Sequence, residues 1–178
     1  MLVVVAFYLS SCAELLFWKK EDISVYQTIR ISEGPESVEC EITDKQPGKV
    51  DPALTYFWIK NRIVHKTPGD FGGHLLHGAY QRFYEDGALK EKGEFRYGLK
   101  HGSWKLWDKN QGLVSEYNFS KGEKSGSFNE FVAGNLVRSG TYQNDQYNGK
   151  LYLHTDPAIE ALVYKQGVVT DTVFQSKQ

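Results

Sequence analysis

A stretch of about 24 residues is written three times in succession, and no other feature constrains the fold of this chain so tightly. Leu75 to Gly98 reads LLHGAYQRFYEDGALKEKGEFRYG, and Leu99 to Gly122 reads LKHGSWKLWDKNQGLVSEYNFSKG. Gly78, Gly102 and Gly126 are 24 and 24 residues apart, and Gly149 follows 23 later. Tyr80, Trp104 and Phe128 keep the spacing of 24, as do Phe83, Trp107 and Phe131. Later in each copy Leu89, Leu113 and Leu136 align, and so do Phe95, Phe119 and Tyr142. A fixed period means one small unit used repeatedly, because such a unit buries its apolar side only against neighbours of the same kind. Worn copies flank the good ones: Tyr56 precedes Tyr80 by 24 and Phe71 precedes Phe95 by 24, while Asn148-Gly149 opens a last copy that ends near Tyr164 and Gly167.

Each copy predicts a β-hairpin followed by a return turn. The first strand, about Ala79 to Glu85, is aromatic and ends at Asp86-Gly87, a strong hairpin signal because Gly accepts positive φ without steric cost. Asp108 to Gly112 and Val132 to Asn135 hold the equivalent turns. In the second strand Leu89, Glu91, Gly93 and Phe95 share one face, as Leu113, Ser115, Tyr117 and Phe119 share the matching one. Period two is the mark of a strand. Side by side, these units predict an all-β fold, an elongated and open antiparallel meander of hairpin repeats in which Tyr80, Trp104 and Phe128 form a ladder. Tyr80 and Phe83 lie three apart, so either both faces carry apolar rows or a bulge intervenes. Ser24 to Ile31 and Val38 to Ile42 also look like strands, and the segment before Tyr56 is expected to pack on the repeat sheet.

The runs FYEDGALKEKGEFRYGLKHG and LWDKNQGLVSEYNFSKGEKSG resemble the MORN repeat family in its bacterial variant form: aromatic strand, Asn/Asp-Gly turn, second strand with a late aromatic, then Gly-x-x-x-Gly. The resemblance covers about Leu75 to Gly149. It implies membrane-associated scaffolds, lipoproteins of unknown role, or antitoxin-like proteins that bind a toxin.

The N-terminus, MLVVVAFYLSSCAELLFW, is the most apolar part of the chain. Its uncharged run is too short to cross a bilayer, which needs about 20 residues, but suits the core of a secretory signal. Leu9-Ser10-Ser11-Cys12 then resembles the bacterial lipobox, which implies cleavage before Cys12 and lipid on its thiol. Several acyl chains anchor firmly where one does not. The residue after the cysteine is Ala13 rather than Asp, which by the rule for such lipoproteins favours the outer membrane. The rival reading is an inner-membrane signal anchor from Leu2 to Trp18 flanked by Lys19 and Lys20, at the cost of placing Glu14 in hydrocarbon. Four regions follow: signal and tether over 1–18, an N-terminal β segment over 19–54, hairpin repeats over 55–167 and a C-terminal tail over 168–178.

Chemistry is harder to find. A net charge of -1 disfavours nucleic acid as a partner. Two cysteines, Cys12 and Cys40, cannot build a disulfide framework or a paired-cysteine metal motif. No nucleophile elbow, phosphate-binding loop or dinucleotide fingerprint is present. His77 and His101 occupy the position that Ser125 and Asn148 hold in later copies, which points to a polar turn residue rather than imidazole chemistry. His74 and His77 have a metal-compatible spacing only on a helix, and the strand context argues against one. The reading is therefore non-enzymatic, with no cofactor and no metal: a lipid-anchored envelope protein that offers its sheet to an unidentified protein partner. An antitoxin-like protein and an envelope hydrolase are the alternatives. Tyr84, Trp104 and Trp107 are the candidate interaction residues, since aromatics anchor interfaces, although the same rings could be the core of the sheet.

Overall fold

The computed structural model describes residues 27–155 and 158–176, which form fourteen strands and no helix. The N-terminal part holds β1 (Gln27–Glu33), β2 (Glu36–Thr43), β3 (Thr55–Lys60) and β4 (Ile63–Pro68). The repeats supply β5 (His74–Phe83), β6 (Leu89–Arg96), β7 (Leu99–Trp107), β8 (Leu113–Ser120), β9 (Glu123–Val132) and β10 (Asn135–Gln143). The chain continues through β11 (Gln146–Tyr147), β12 (Gly149–His154), β13 (Ala158–Lys165) and β14 (Val168–Ser176). One open antiparallel sheet runs in the order β1-β2-β5-β6-β7-β8-β9-β10-β12-β13-β14, the meander that the repeats predict.

Two kinds of turn build it. At one end, β6 joins β7, β8 joins β9 and β13 joins β14 through Tyr97-Gly98, Lys121-Gly122 and Gln166-Gly167, with both residues of each turn at positive φ. That geometry follows the right-handed twist of the flanking strands. The turn glycines also donate backward, Gly98 N–H to the Leu76 carbonyl at 2.7 Å and Gly122 N–H to the Lys100 carbonyl at 2.9 Å. Each turn is thereby tied to the preceding strand, and the tie recurs with the repeat. At the other end an aspartate organises the connection: Asp108 Oδ1 accepts from the N–H groups of Asn110 and Gly112, as Asp86 Oδ1 does from Ala88.

Tyr80 and Phe83, three apart, point to opposite faces, and the bulge that accompanies them lies in the return strand. Arg82 pairs with Glu91 and Phe83 with Leu89, so the extra residue is Lys90 in the return strand, and β5 stays regular from Tyr80 to Phe83, its own irregularity lying earlier, at Gly78. Val114 and Val137 are the extra residues at the same place in the next two hairpins. Tyr80, Trp104 and Phe128 therefore face one side, where all three are buried, while Phe83, Trp107 and Phe131 form a half-buried row on the other.

The buried side is an aromatic ladder. Tyr80, Phe95 and Trp104 meet with ring centroids 4.9 to 5.5 Å apart, and Tyr117, Phe128, Tyr142, Tyr147 and Tyr164 carry the contacts onward to β13. Each such neighbouring pair stabilises by roughly 0.5–1 kcal/mol beyond the area it buries.

The ends of the sheet depart from the expectation. β1 and β2 do not lie on a face of the repeat sheet. Cys40 pairs with Tyr80 and Ser37 with Phe83, so β2 joins the edge of β5 and lengthens the sheet. The cover comes from the hairpin β3–β4, which from its sequence is a worn repeat but sits off the main path. Ile59 is buried among Ile31, Ile42, Leu76 and Tyr80, and the Phe57 ring packs 5.0 Å from that of Phe95. Its tip is fastened to β1, where Arg62 donates to the Arg30 carbonyl and the Val64 N–H to Glu33. Gly73 permits this path, because a Cβ there would stand 2.1 Å from the Ile59 carbonyl oxygen. At the far end, residues 168–176 are β14 and not a tail. The Gln166-Gly167 turn aims them back along β13, and their Val, Thr and Phe suit a strand.

Candidate functional site

The hairpin β3–β4 covers the ladder only from β1 to about β7, so the same face is open from β8 onward. Two lysines mark the transition. Lys100 Nζ stands 3.7 Å from the centre of the Trp104 ring system and 5.3 Å from that of Phe119, and it donates to Glu91 Oε1 at 2.9 Å. Lys124, one repeat later, stands 4.1 Å above Tyr117 and 5.0 Å above Tyr142. Leu76, one repeat earlier than Lys100, is fully buried beneath the hairpin. One position of the repeat is thus a leucine beneath the hairpin, a lysine at its margin, where Lys100 Nζ also stands 5.9 Å from the Phe57 ring, and a lysine again beyond it. A long amphipathic side chain can shield a ring with its stem and keep its charge near water. Burial lowers the pKa of Lys100, against the pull of Glu91.

Beyond Lys124 the open face carries Tyr142, Tyr147 and Tyr164, all half-buried, with Phe128 sealed beneath them. Glu130 ties this patch together. It accepts from Arg138 Nε at 2.7 Å and Nη2 at 2.9 Å, and the Tyr117 hydroxyl donates to it. Burial raises the Glu130 pKa, but the hydrogen bonds from Arg138 and Tyr117 outweigh it and hold the carboxylate below its ordinary range. The same cross-strand position is Arg82 with Glu91 two hairpins earlier and uncharged Leu106 with Ser115 between them. The charge order is therefore reversed from the first hairpin to the third, and the surface differs from copy to copy while its scaffold does not.

The residues singled out from sequence divide sharply. Trp104 is only 3% exposed, over Gly93 and under Lys100, with its Nε1–H shared between the carbonyls of Glu94 and His101. It is a core residue and presents nothing to a partner. Trp107 and Tyr84 are half-buried at the other end of the strands, joined by a 2.8 Å bond from the Tyr84 hydroxyl to the Trp107 carbonyl. Lys90 Nζ lies 5.3 Å from the Tyr84 ring. Cys12 lies outside the described residues. Cys40 is buried in β2, and its thiol is pushed up to about 12 by desolvation, helped by Glu33, Glu39 and Glu41.

His77 is a strand residue of β5 rather than a turn residue, and it serves the turn after β6. Its Nδ1 accepts the Tyr97 N–H at 3.2 Å, and burial lowers its pKa, which favours the neutral ring this bond requires. His74 is instead paired with Asp44. Among the described residues no three His, Cys, Asp or Glu side chains converge as metal ligands. Lys100, Lys124, Glu130 and Arg138 are not among the sequence candidates. The signal for the lysines lies in the turn: each follows the glycine by two residues, as Gly98-Leu99-Lys100 and Gly122-Glu123-Lys124.

Comparison of the chain with protein-family models finds no match, and comparison with curated proteins finds none either.

Proposed function

We propose that this is a non-enzymatic binding protein of the bacterial envelope, held there by lipid on Cys12 and using its open sheet as an interface for a protein partner. The observation that carries the reading is the half-exposed row of Tyr142, Tyr147 and Tyr164 beside Lys124 and Arg138, on a face that no other described strand crosses. Tyrosine and arginine bury large contact area with little conformational freedom to lose, and their polar ends stay usable at a wet rim. The rigid ladder below fixes their positions before a partner arrives, which reduces the ordering cost of association. Anchoring rests on the lipobox-like Leu9-Ser10-Ser11-Cys12, and Ala13 favours the outer membrane.

Two measurements test the two halves of the reading. In cells given a fatty-acid analogue, the wild type takes up label and Cys12→Ala does not; label on both, or on neither, ends the lipoprotein reading. For the interface, partner recovery from envelope fractions is compared between wild type and Tyr147→Ala. The variant loses the ring contacts of Tyr147 with Phe128, Tyr142 and Tyr164, so its unfolding midpoint falls; lost recovery while it still unfolds in one cooperative transition above the assay temperature supports the open face, and unchanged recovery removes it.

A further inference from the structure

A second site lies at the turn end of the sheet, outside the tyrosine row. The turn of β6–β7, the turn of β8–β9 and the connection between β2 and β3 enclose a cleft of about 270 Å3. Its apolar wall is formed by Tyr56, Tyr97 and Leu99, and Tyr56 is only 1% exposed, so this wall is fixed. Around it stand Lys49, Arg96, His101 and Lys121, and no acidic side chain lines the cleft. Lys100 also borders it, but its ammonium is engaged by Glu91 and the Trp104 ring and offers only its stem. Among the described residues, no carboxylate forms an ion pair with Lys49, Arg96 or Lys121.

The repeat supplies an internal comparison. One copy later, Ser120 stands in the place of Arg96, Glu123 in that of Leu99, Ser125 in that of His101 and Asp145 in that of Lys121. Asp145 Oδ1 there accepts the Lys124 N–H at 2.8 Å. The scaffold needs neither the positive charge nor the apolar wall at this place, because the next copy folds with acidic residues there. Lys49 comes from the unrepeated connection and has no counterpart at all. In a chain with a net charge of -1, an all-basic cleft is not a consequence of composition.

We propose that this cleft binds a phosphate monoester joined to a small apolar group. Phosphate brings close to two negative charges and three acceptor oxygens, which matches the Lys and Arg side chains that border the cleft. The apolar wall takes the rest of the molecule. The volume is slightly below that of sites for drug-sized ligands, so the ligand is about the size of one ring or a short chain. Such a group could be the head of an anionic lipid or a free soluble ester, and the two share this chemistry. The proposal does not depend on the anchor or on the tyrosine face.

The test is calorimetric titration of the full chain, in non-ionic detergent, with phenyl phosphate, inorganic phosphate, benzyl alcohol and dihexanoyl phosphatidic acid below its micelle concentration. Phenyl phosphate binds at least tenfold more tightly than inorganic phosphate, benzyl alcohol does not bind, and added salt weakens the ester. Tighter binding of the phosphatidic acid than of phenyl phosphate assigns the site to a lipid head, and the reverse order assigns it to a soluble ester. Lys49→Gln with Lys121→Asn weakens binding at least tenfold. Lys121 has φ of +52°, a conformation Asn tolerates, so this pair leaves the unfolding midpoint unchanged. Lys121→Arg alone, which keeps the charge, retains binding. Absence of binding by both esters, equal affinity for inorganic and phenyl phosphate, or indifference to the double variant overturns the proposal.

Discussion

Gly93 is the seat of Trp104: a Cβ built on Gly93 would come within 2.3 Å of the indole ring. The two residues lie on neighbouring strands, β6 and β7, and the missing side chain of one is the space that the other fills. Substituting alanine for a glycine at ordinary φ usually stabilises a strand by reducing the freedom of the unfolded chain. Here the sign reverses. Gly93→Ala must shift the largest ring of the ladder, at a cost of about 1–3 kcal/mol, seen as a lower midpoint in denaturant. Gly140 is likewise closed to a side chain, because its Cβ would stand 2.9 Å from the Lys150 carbonyl oxygen and 3.1 Å from the Phe128 ring. A stabilised Gly93→Ala protein would refute this view of the ladder.

The two tryptophans of β7 should separate cleanly. Trp104→Ala empties a closed site among Phe95, Tyr80 and Phe119 and costs about 3–5 kcal/mol. Trp107→Ala, on the half-exposed reverse face, costs under about 2 kcal/mol because less of its area leaves water on folding. Equal losses in equilibrium unfolding would show that the two faces are equally buried.

Acid weakens the fold through Glu36 and Glu130. The hydrogen bond from Lys90 is the main cause that lowers Glu36, while Arg138 and Tyr117 overcome burial at Glu130, so both carboxyls titrate below their ordinary value of 4.5 in the folded state. An unfolded chain then binds more protons than the folded one, and the stability these groups give is present above the unfolded pKa. It is lost as pH falls below 4.5 and through the folded pKa. Glu130→Gln lowers stability at neutral pH by about 1–3 kcal/mol and flattens the acid limb of stability against pH. An unchanged acid limb in that variant would show that Glu130 has no part in it.

Cys40 should resist alkylation. With its thiol pushed up to about 12 and its side chain 1% exposed, iodoacetamide at neutral pH modifies it only when the sheet opens. In a Cys12→Ser background, label therefore appears in proportion to denaturant and not to time in native buffer. Rapid native labelling would mean that β2 leaves the edge of β5 readily.

Residues 75–149 were the legible part. A side chain period of two, glycine at the turns and a 24-residue recurrence are local or self-referential signals, and they specify hairpins, their order and the ladder of Tyr80, Trp104 and Phe128 without reference to anything distant. The candidate interface was only partly legible for the same reason. An aromatic at a repeat position belongs to a row, but whether that row is roofed depends on what crosses it. Trp104 and Tyr142 look alike in sequence, yet one lies in the core joined to the β3–β4 hairpin and the other is half open.

What the sequence by itself determined is the unit and its repetition: where the chain turns, which residues share a face, and that the result is one antiparallel meander. Only the tertiary structure decided that β1 and β2 lengthen the sheet, that a worn repeat becomes its roof, and that residues 168–176 form its last edge strand. The physical reason is that hairpin formation is settled by dihedral preference and near neighbours. Roofing and edge pairing are settled by contacts between residues far apart in the chain, as between Ile59 and Ile31 or Cys40 and Tyr80, for which no period exists to be read.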